Sequence, residues 1–263
     1  MKQHFFKYLL IAAITFTTVN AMAWGQQGHR ITGQIADSYL SAKARKAIRA
    51  ILGNESIAQA SNWADFIKSD STYNYLYNWH FINFDNNLGY AEMMAYLKQD
   101  TIVDSYTRMN FLTAELKMKN LSQDKKLLYL RMLIHIAEDA HQPMHTGHLS
   151  DKGGNDIKVL WMGQPSNLHS VWDSQLIDAQ QLSYTEYTAS INFTTQAQRA
   201  EWQKASIADW IFESNQIAQK LYADIKPDEK LGYRYNFKYI GVVNEQLLKG
   251  GVRLAGLLNE IFG

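Results

Sequence analysis

The apolar positions from Ser122 to Ile134 fall on one helical stripe. Leu127, Leu130, Met132, Leu133 and Ile134 give a broad apolar face, and Ser122 is placed to cap its start. The same period runs from about His29 to Leu52, through Ile31, Ile35, Ala36, Tyr39, Leu40, Ala44, Ala47, Ile48 and Ile51, and Gly53-Asn54 ends it. Residues 91–118 predict two helical pieces rich in Met, Tyr and Leu. Residues 196–224 predict a long helix with Trp202, Ile207, Trp210, Ile211, Ile217 and Leu221 apolar. A last helix is predicted over 237–262. Gly250-Gly251 inside it lowers helix propensity, so close packing is expected there. Asn78 to Asp85 alternates aromatic and polar residues and reads as a short strand or extended segment. Asp156 to Trp161 predicts a second short strand, after a turn at Asp151-Lys152-Gly153-Gly154-Asn155.

The polar residues that interrupt these stripes carry the chemistry. The stretch from His135 to His145 holds three imidazoles, His135, His141 and His145, beside the carboxylates of Glu138 and Asp139. If the helix continues, His135 and Asp139 lie at i and i+4 and project from one face. Pro143 is expected to end the helix near His141 or Gln142, so that His145 returns from another direction. His141 is then expected to be an outer support or a surface residue. Neutral imidazole and carboxylate both suit zinc. A second His-x-x-x-Asp follows at His169 and Asp173. Asp65, beside Trp63 and Phe66, needs a hydrogen-bonding partner or a cation if it is buried.

With His29 and His80 the possible ligands are His29, Asp65, His80, His135, Asp139, His145, His169 and Asp173. That is too many for one tetrahedral zinc, and a bridging carboxylate would give a multinuclear site. Such sites activate water near neutral pH and stabilise phosphoryl oxygens, which points to phosphoester hydrolysis. No Gly-x-Ser-x-Gly elbow is present to favour acyl transfer.

Composition adds the setting. A chain of 263 residues, 46% hydrophobic and 19% charged, can form one large globular domain. Lys2 and Lys7, the apolar run Tyr8 to Thr18 and the small-x-small Ala21-Met22-Ala23 predict a signal peptide over 1–23, cut before Trp24. The product is expected in the periplasm or outside the cell. Losing Lys2 and Lys7 takes the formal net charge from +1 to −1, which excludes a generally basic nucleic-acid binder. There is no cysteine, so neither disulfides nor thiolate ligands contribute.

Taken in order, Trp24…His29, Trp63-Ala64-Asp65, His80-Phe81, His135-x-x-x-Asp139 with His145, Gly153-Gly154-Asn155 and His169-x-x-x-Asp173 resemble the type I nucleases. These are the single-strand-specific zinc nucleases of fungi and the bifunctional nucleases of plants. The resemblance runs over 24–263. It implies a mainly α single helical domain, of the kind shared with zinc-dependent phospholipase C, with short β segments and three zinc ions in a cleft. By position, the first zinc would take Asp65, His80, His135 and Asp139. The second would take His145, His169 and Asp173. The third would take Trp24, His29 and a bridging Asp139. Asp65 would orient the nucleophile, Lys68 would face the phosphate, and Phe81, Asn83 and Asn155 would bind substrate. The implied substrates are single-stranded DNA and RNA, cut to 5′-nucleotides, and 3′-nucleotides, acted on by a monomer with no stable membrane association.

The chain departs from the eukaryotic pattern in three ways. It has no cysteine, as expected of a bacterial export product. Lys68 stands where fungal members tend to have arginine, and a lysine offers a point charge rather than a fork. Asn83 stands where an aspartate contacts the base. The alternative enzyme is a zinc-dependent phospholipase C, whose last ligand pair tends to be His-x-x-x-Glu, where this chain has Asp173. A zinc-binding protein without activity is the non-enzymatic alternative.

Overall fold

The structure is a computed structural model and describes residues 24–263; the predicted signal peptide lies outside the described residues. The first helical stripe resolves into α1 (Gln26–Ser38) and α2 (Ala42–Leu52) rather than one helix. Ser41 makes the break: its backbone is extended and its hydroxyl accepts from Ala44 N, so it caps α2 and ends the run. Gly53, at φ 68°, closes α2 in a conformation that suits glycine. Two single turns follow, α3 (Ile57–Ala60) and α4 (Trp63–Phe66).

Ser71–His80 is a 3₁₀ helix, so of the expected strand or extended segment over Asn78 to Asp85 only an extended stretch from Phe81 forms, with an isolated bridge from Phe84 to His148. The extended backbone there pairs with the segment after His145: Ile82 N donates to His145 O, and Phe84 N to Gly147 O, both at 2.9 Å. Next come α5 (Tyr90–Gln99), α6 (Ser105–Leu116) and α7 (Gln123–Asp139). Ser122 caps α7 by accepting from Lys125 N, as its sequence predicts. α7 ends at Asp139, slightly earlier than Pro143 alone would require.

Strands β1 (Lys158–Trp161) and β2 (Gln164–Asn167) form an antiparallel hairpin. The chain then runs through α8 (Leu168–Ser170), a π-helical turn at Val171–Gln175 and α9 (Leu176–Asp178). After α10 (Tyr184–Ile191), the predicted helix over 196–224 is divided into α11 (Gln196–Trp202) and α12 (Ile207–Asp224), because Ser206 forms a capping box with Asp209. Strand β3 (Glu229–Leu231) pairs parallel to β1, giving the order β2-β1-β3, and α13 (Tyr233–Phe262) closes the chain.

α13 crosses α1 at Gly250 and Gly251. A Cβ at Gly251 would come within 2.5 Å of Ile35 Cβ, so glycine sets this close approach. Two hydrophobic cores result. One gathers Trp79, Leu112, Leu130, Leu133 and Leu254 around α6 and α7. The other gathers Trp24, Leu168, Trp172, Val243 and Leu247 under the small sheet. α1 and α13 supply residues to both. No helix among the described residues is long and apolar enough to cross a membrane.

Candidate metal centre

The last turn of α7 supplies the middle of the site. His135 Nε2 lies 3.2 Å from Asp139 Oδ2, as the i, i+4 spacing requires, and both side chains are fully buried. Beyond α7, Gln142 is extended and Pro143 opens a 3₁₀ turn that carries His145 back toward the helix end. The paired segments after the 3₁₀ helix fix His80 beside it. The π-helical turn still leaves His169 Nε2 3.1 Å from Asp173 Oδ2.

Most of the imidazoles are aimed by their outer nitrogen. Nδ1 of His135 donates to Ser61 O at 2.5 Å, that of His145 to His80 O at 2.7 Å, and that of His169 to Gly153 O at 2.6 Å. A carbonyl can only accept, so each Nδ1 carries a proton, and the neutral ring then has its lone pair on Nε2. His29 places Nδ1 2.6 Å from Glu138 Oε2. His80 is turned the other way, with Nδ1 3.1 Å from Asp139 Oδ2 and 2.9 Å from His135 Nε2.

Three groups of ligand atoms result, each within 4.8 Å: His29, Asp65 and His135; His80, His135 and Asp139; and His145, His169 and Asp173. Asp139 lies between them, its Oδ1 3.5 Å from His29 Nε2 and 3.9 Å from His145 Nδ1, and its Oδ2 close to His80 and His135. Several of these atoms are buried without a hydrogen-bond partner: His29 Nε2, Asp65 Oδ2, Asp139 Oδ1 and His145 Nε2. Buried polar atoms are normally satisfied, so orphans converging on one place fit the donor set of a bound cation.

The charges are strongly coupled. Burial opposes ionisation of Asp139, but His135, His145 and His80 hold its carboxyl well below the usual carboxylate range. Asp65 is also held low against burial, by His135, then Lys68, then His29. Burial pushes His80 down to about 4 and His29 well below an ordinary imidazole. Burial also disfavours charge on His145, yet Asp139 and Asp173 raise it to about 9. Burial holds the Glu138 carboxyl well above its ordinary value.

The other expected residues surround this cluster. Trp24 is buried in the second core, with its indole N–H donating to Glu138 O at 3.0 Å. Lys68 places Nζ 2.5 Å from Asp65 Oδ1 and remains partly exposed. Phe81 is half-buried and meets Tyr77 edge to face at 5.8 Å. Asn83 has a buried Oδ1 without a hydrogen-bond partner, beside the Gly153 turn. Asn155 donates to Lys152 O at 2.8 Å and so ties its own turn. Gly153 and Gly154 both have positive φ, and a Cβ on Gly153 would collide with Met144 O.

His141 is not among the grouped ligands. It is buried, with Nδ1 on Ala137 O at 2.8 Å and Nε2 3.2 Å from Arg253 Nη1. Sequence reasoning overlooks Glu138 and Gln142. Gln142 donates to Asp173 Oδ1 and accepts from Met144 N, so it braces the third group against the His145 turn. Glu138 carried one usable signal: it is a carboxylate between Ala137 and Asp139 on a helix turn with no solvent face.

A mainly helical domain with three His/Asp groups of this kind defines a hydrolase with metal-binding clusters. The chain belongs to the S1/P1 nuclease family, whose pattern matches residues 24–263. It is similar to Endonuclease 5 of Arabidopsis thaliana, 29% identical over 283 residues that cover 96% of this chain and 95% of that one. It is also similar to Endonuclease 2 of the same plant, at 27% over 99% of this chain and 98% of the other. Nuclease P1 of Penicillium citrinum is 28% identical over 91% of this chain and 98% of its own.

Proposed function

We propose that this chain is an exported zinc-dependent endonuclease, cut after Ala23, that hydrolyses single-stranded DNA and RNA to 5′-nucleotides and also removes 3′-phosphates from nucleotides. The observation that carries this is the convergence of partnerless buried ligand atoms from His29, Asp65, Asp139 and His145. Asp65, His80, His135 and Asp139 would hold one zinc, His145, His169 and Asp173 a second, and Trp24, His29 and Asp139 a third. When bound, zinc supplies a Lewis acid for phosphoryl oxygens and makes water a nucleophile near neutral pH.

The remaining steps belong to the chain. Asp65 accepts a hydrogen bond from the attacking water and aims it at phosphorus. Lys68, one turn further on, sets its positive charge against a non-bridging oxygen. Phe81 stacks on the nucleobase, whatever its identity, because every base has a π-face. Asn83 reads the base edge, with an amide that both donates and accepts. Asn155, on the neighbouring turn, contacts the substrate beside it. Three divalent cations against three aspartates leave a positive surplus, so a near-neutral protein can draw a polyanion to one place.

The test is an assay of zinc-loaded mature protein on single-stranded and double-stranded nucleic acid, on 3′-nucleotides and on phosphatidylcholine. Cleavage of single strands to products with 5′-phosphate supports the reading. Hydrolysis of phosphatidylcholine without nuclease activity would replace it with the phospholipase reading, and zinc binding with no hydrolysis would overturn both.

A further inference from the structure

His29 is held unlike His135, His145 and His169. His135, His145 and His169 are aimed by main-chain carbonyls, which no substitution removes. His29 is aimed by a side chain, Glu138 Oε2, at 2.6 Å, and both residues are fully buried. The other carboxyl oxygen of Glu138 lies 2.8 Å from Ser61 Oγ, which in turn lies 2.8 Å from Ile57 O. The main-chain carbonyl of Glu138 receives the indole N–H of Trp24. One residue therefore holds both Trp24 and His29, the pair assigned above to the third zinc beside the bridging Asp139.

We infer that Glu138 is the positioning residue of the third metal site. Its Oε2 accepts Nδ1–H of His29 and so leaves Nε2 as the lone-pair nitrogen, 3.5 Å from Asp139 Oδ1 and 4.0 Å from Asp65 Oδ2. Without that acceptor the buried ring is free to take the other tautomer or to turn. Its carbonyl seats Trp24 against the same helix end. Ser61 holds the far side of the carboxyl, and Gly33 makes room for it, since a Cβ there would collide with Ser61 Oγ. Groups that orient a metal-bound histidine typically change metal affinity by about 10–100-fold when lost. The first two ions have no such dependence on Glu138, so its loss acts on one ion of three. This inference rests on the three-zinc reading.

The requirement is for an acceptor, so glutamine can replace glutamate. Its carbonyl oxygen would face His29, and its amide would donate to Ser61 Oγ, which donates to Ile57 O. The experiment compares mature wild type, Glu138→Gln and Glu138→Leu by zinc content at buffered free zinc, with circular dichroism as the check on fold. Three zincs are expected in wild type and Glu138→Gln. Two are expected in folded Glu138→Leu, with the third recovered only at about 10–100-fold higher free zinc. Three zincs of native affinity in Glu138→Leu would overturn the inference, as would an equal loss in Glu138→Gln. If Glu138→Leu does not fold, Ser61→Ala carries the test: weaker binding of one ion supports the inference, and unchanged binding of all three overturns it. A wild-type count below three would instead overturn the three-zinc reading itself.

Discussion

Lys68 sits one turn after Asp65 and brings its ammonium to within 2.5 Å of the aspartate's Oδ1, at the partly exposed edge of a buried cluster. The pair joins the residue proposed to orient the nucleophile to the cation proposed to meet the phosphate. Lys68→Ala should lower kcat/KM by about 100-fold, the scale of losing one charge-stabilising group, with zinc content unchanged. Lys68→Arg should keep most activity, since the charge is retained and a fork is added. Equal losses in both variants, or loss of zinc in either, would remove Lys68 from this role.

Asp139 faces four imidazoles, His29, His80, His135 and His145. Asp139→Ala should therefore lose zinc from two sites at once and lower activity at least about 100-fold. Metal analysis with turnover checks this; a full complement of zinc and near-normal turnover would contradict the bridging role. His141→Ala, whose ring faces Arg253, should act on stability more than on zinc content.

Phe81 and Asn83 flank the extended segment that follows His80. Phe81→Ala should raise KM for single strands by about tenfold, in line with about 1–3 kcal/mol for stacking one base. Asn83→Asp should change the order of rates on the four homopolymers, because a carboxylate accepts hydrogen bonds only. An unchanged order would show that Asn83 only supports the Gly153 turn.

The helical architecture is legible in the sequence because its stripes are long and its caps are local. Ser122, four residues before Lys126, announces α7 without help from any other part of the chain. Both His-x-x-x-Asp pairs are legible for the same reason: a helical turn alone brings their ends together. Of the small sheet only β1 is legible, within the strand expected over Asp156 to Trp161; the rest is not. β2 contains Pro165 on an edge, and β3 has three residues whose pairing with β1 joins Val159 to Glu229, far along the chain. Nor is the break before α2, where Leu40 continues the apolar period and only the Ser41 cap overrides it. Glu138 is hidden by a different cause. Its partners, His29 and Ser61, are 109 and 77 residues away, and no local pattern reports them.

One titration lies away from the metal groups. Burial, and then a hydrogen bond shared with Asp100, pushes the Asp104 carboxyl up to about 7, while Thr107 N bonds to its Oδ1 at 2.9 Å. The unfolded carboxyl titrates near 3.9. Between these values the folded chain keeps a proton that the unfolded chain gives up, so stability falls as pH rises from about 4 to about 7 and is level above that. Asn also caps helices, so Asp104→Asn should keep the start of α6 and remove this slope. Its Tm should exceed that of wild type by a few degrees at pH 8, about the shift that 1 kcal/mol gives in a chain of this size, and by less at pH 5. An equal difference at both values would mean that the pair does not share the proton.

The two cores meet at the His/Asp groups. Asp65, His80, His135 and Asp139 come from segments built on the first core, and Trp24, His169 and Asp173 from segments built on the second. A cation held here is a cross-link between halves that are otherwise joined through α1, α12 and α13, in a chain with no cysteine. Because such ligation closes loops of many tens of residues, it can take the place that disulfides hold in many small domains. Chelation would then do more than stop turnover: it would cut the seam, let the halves open separately and expose the connecting loops to proteases. How long the protein survives becomes a function of the zinc available to it.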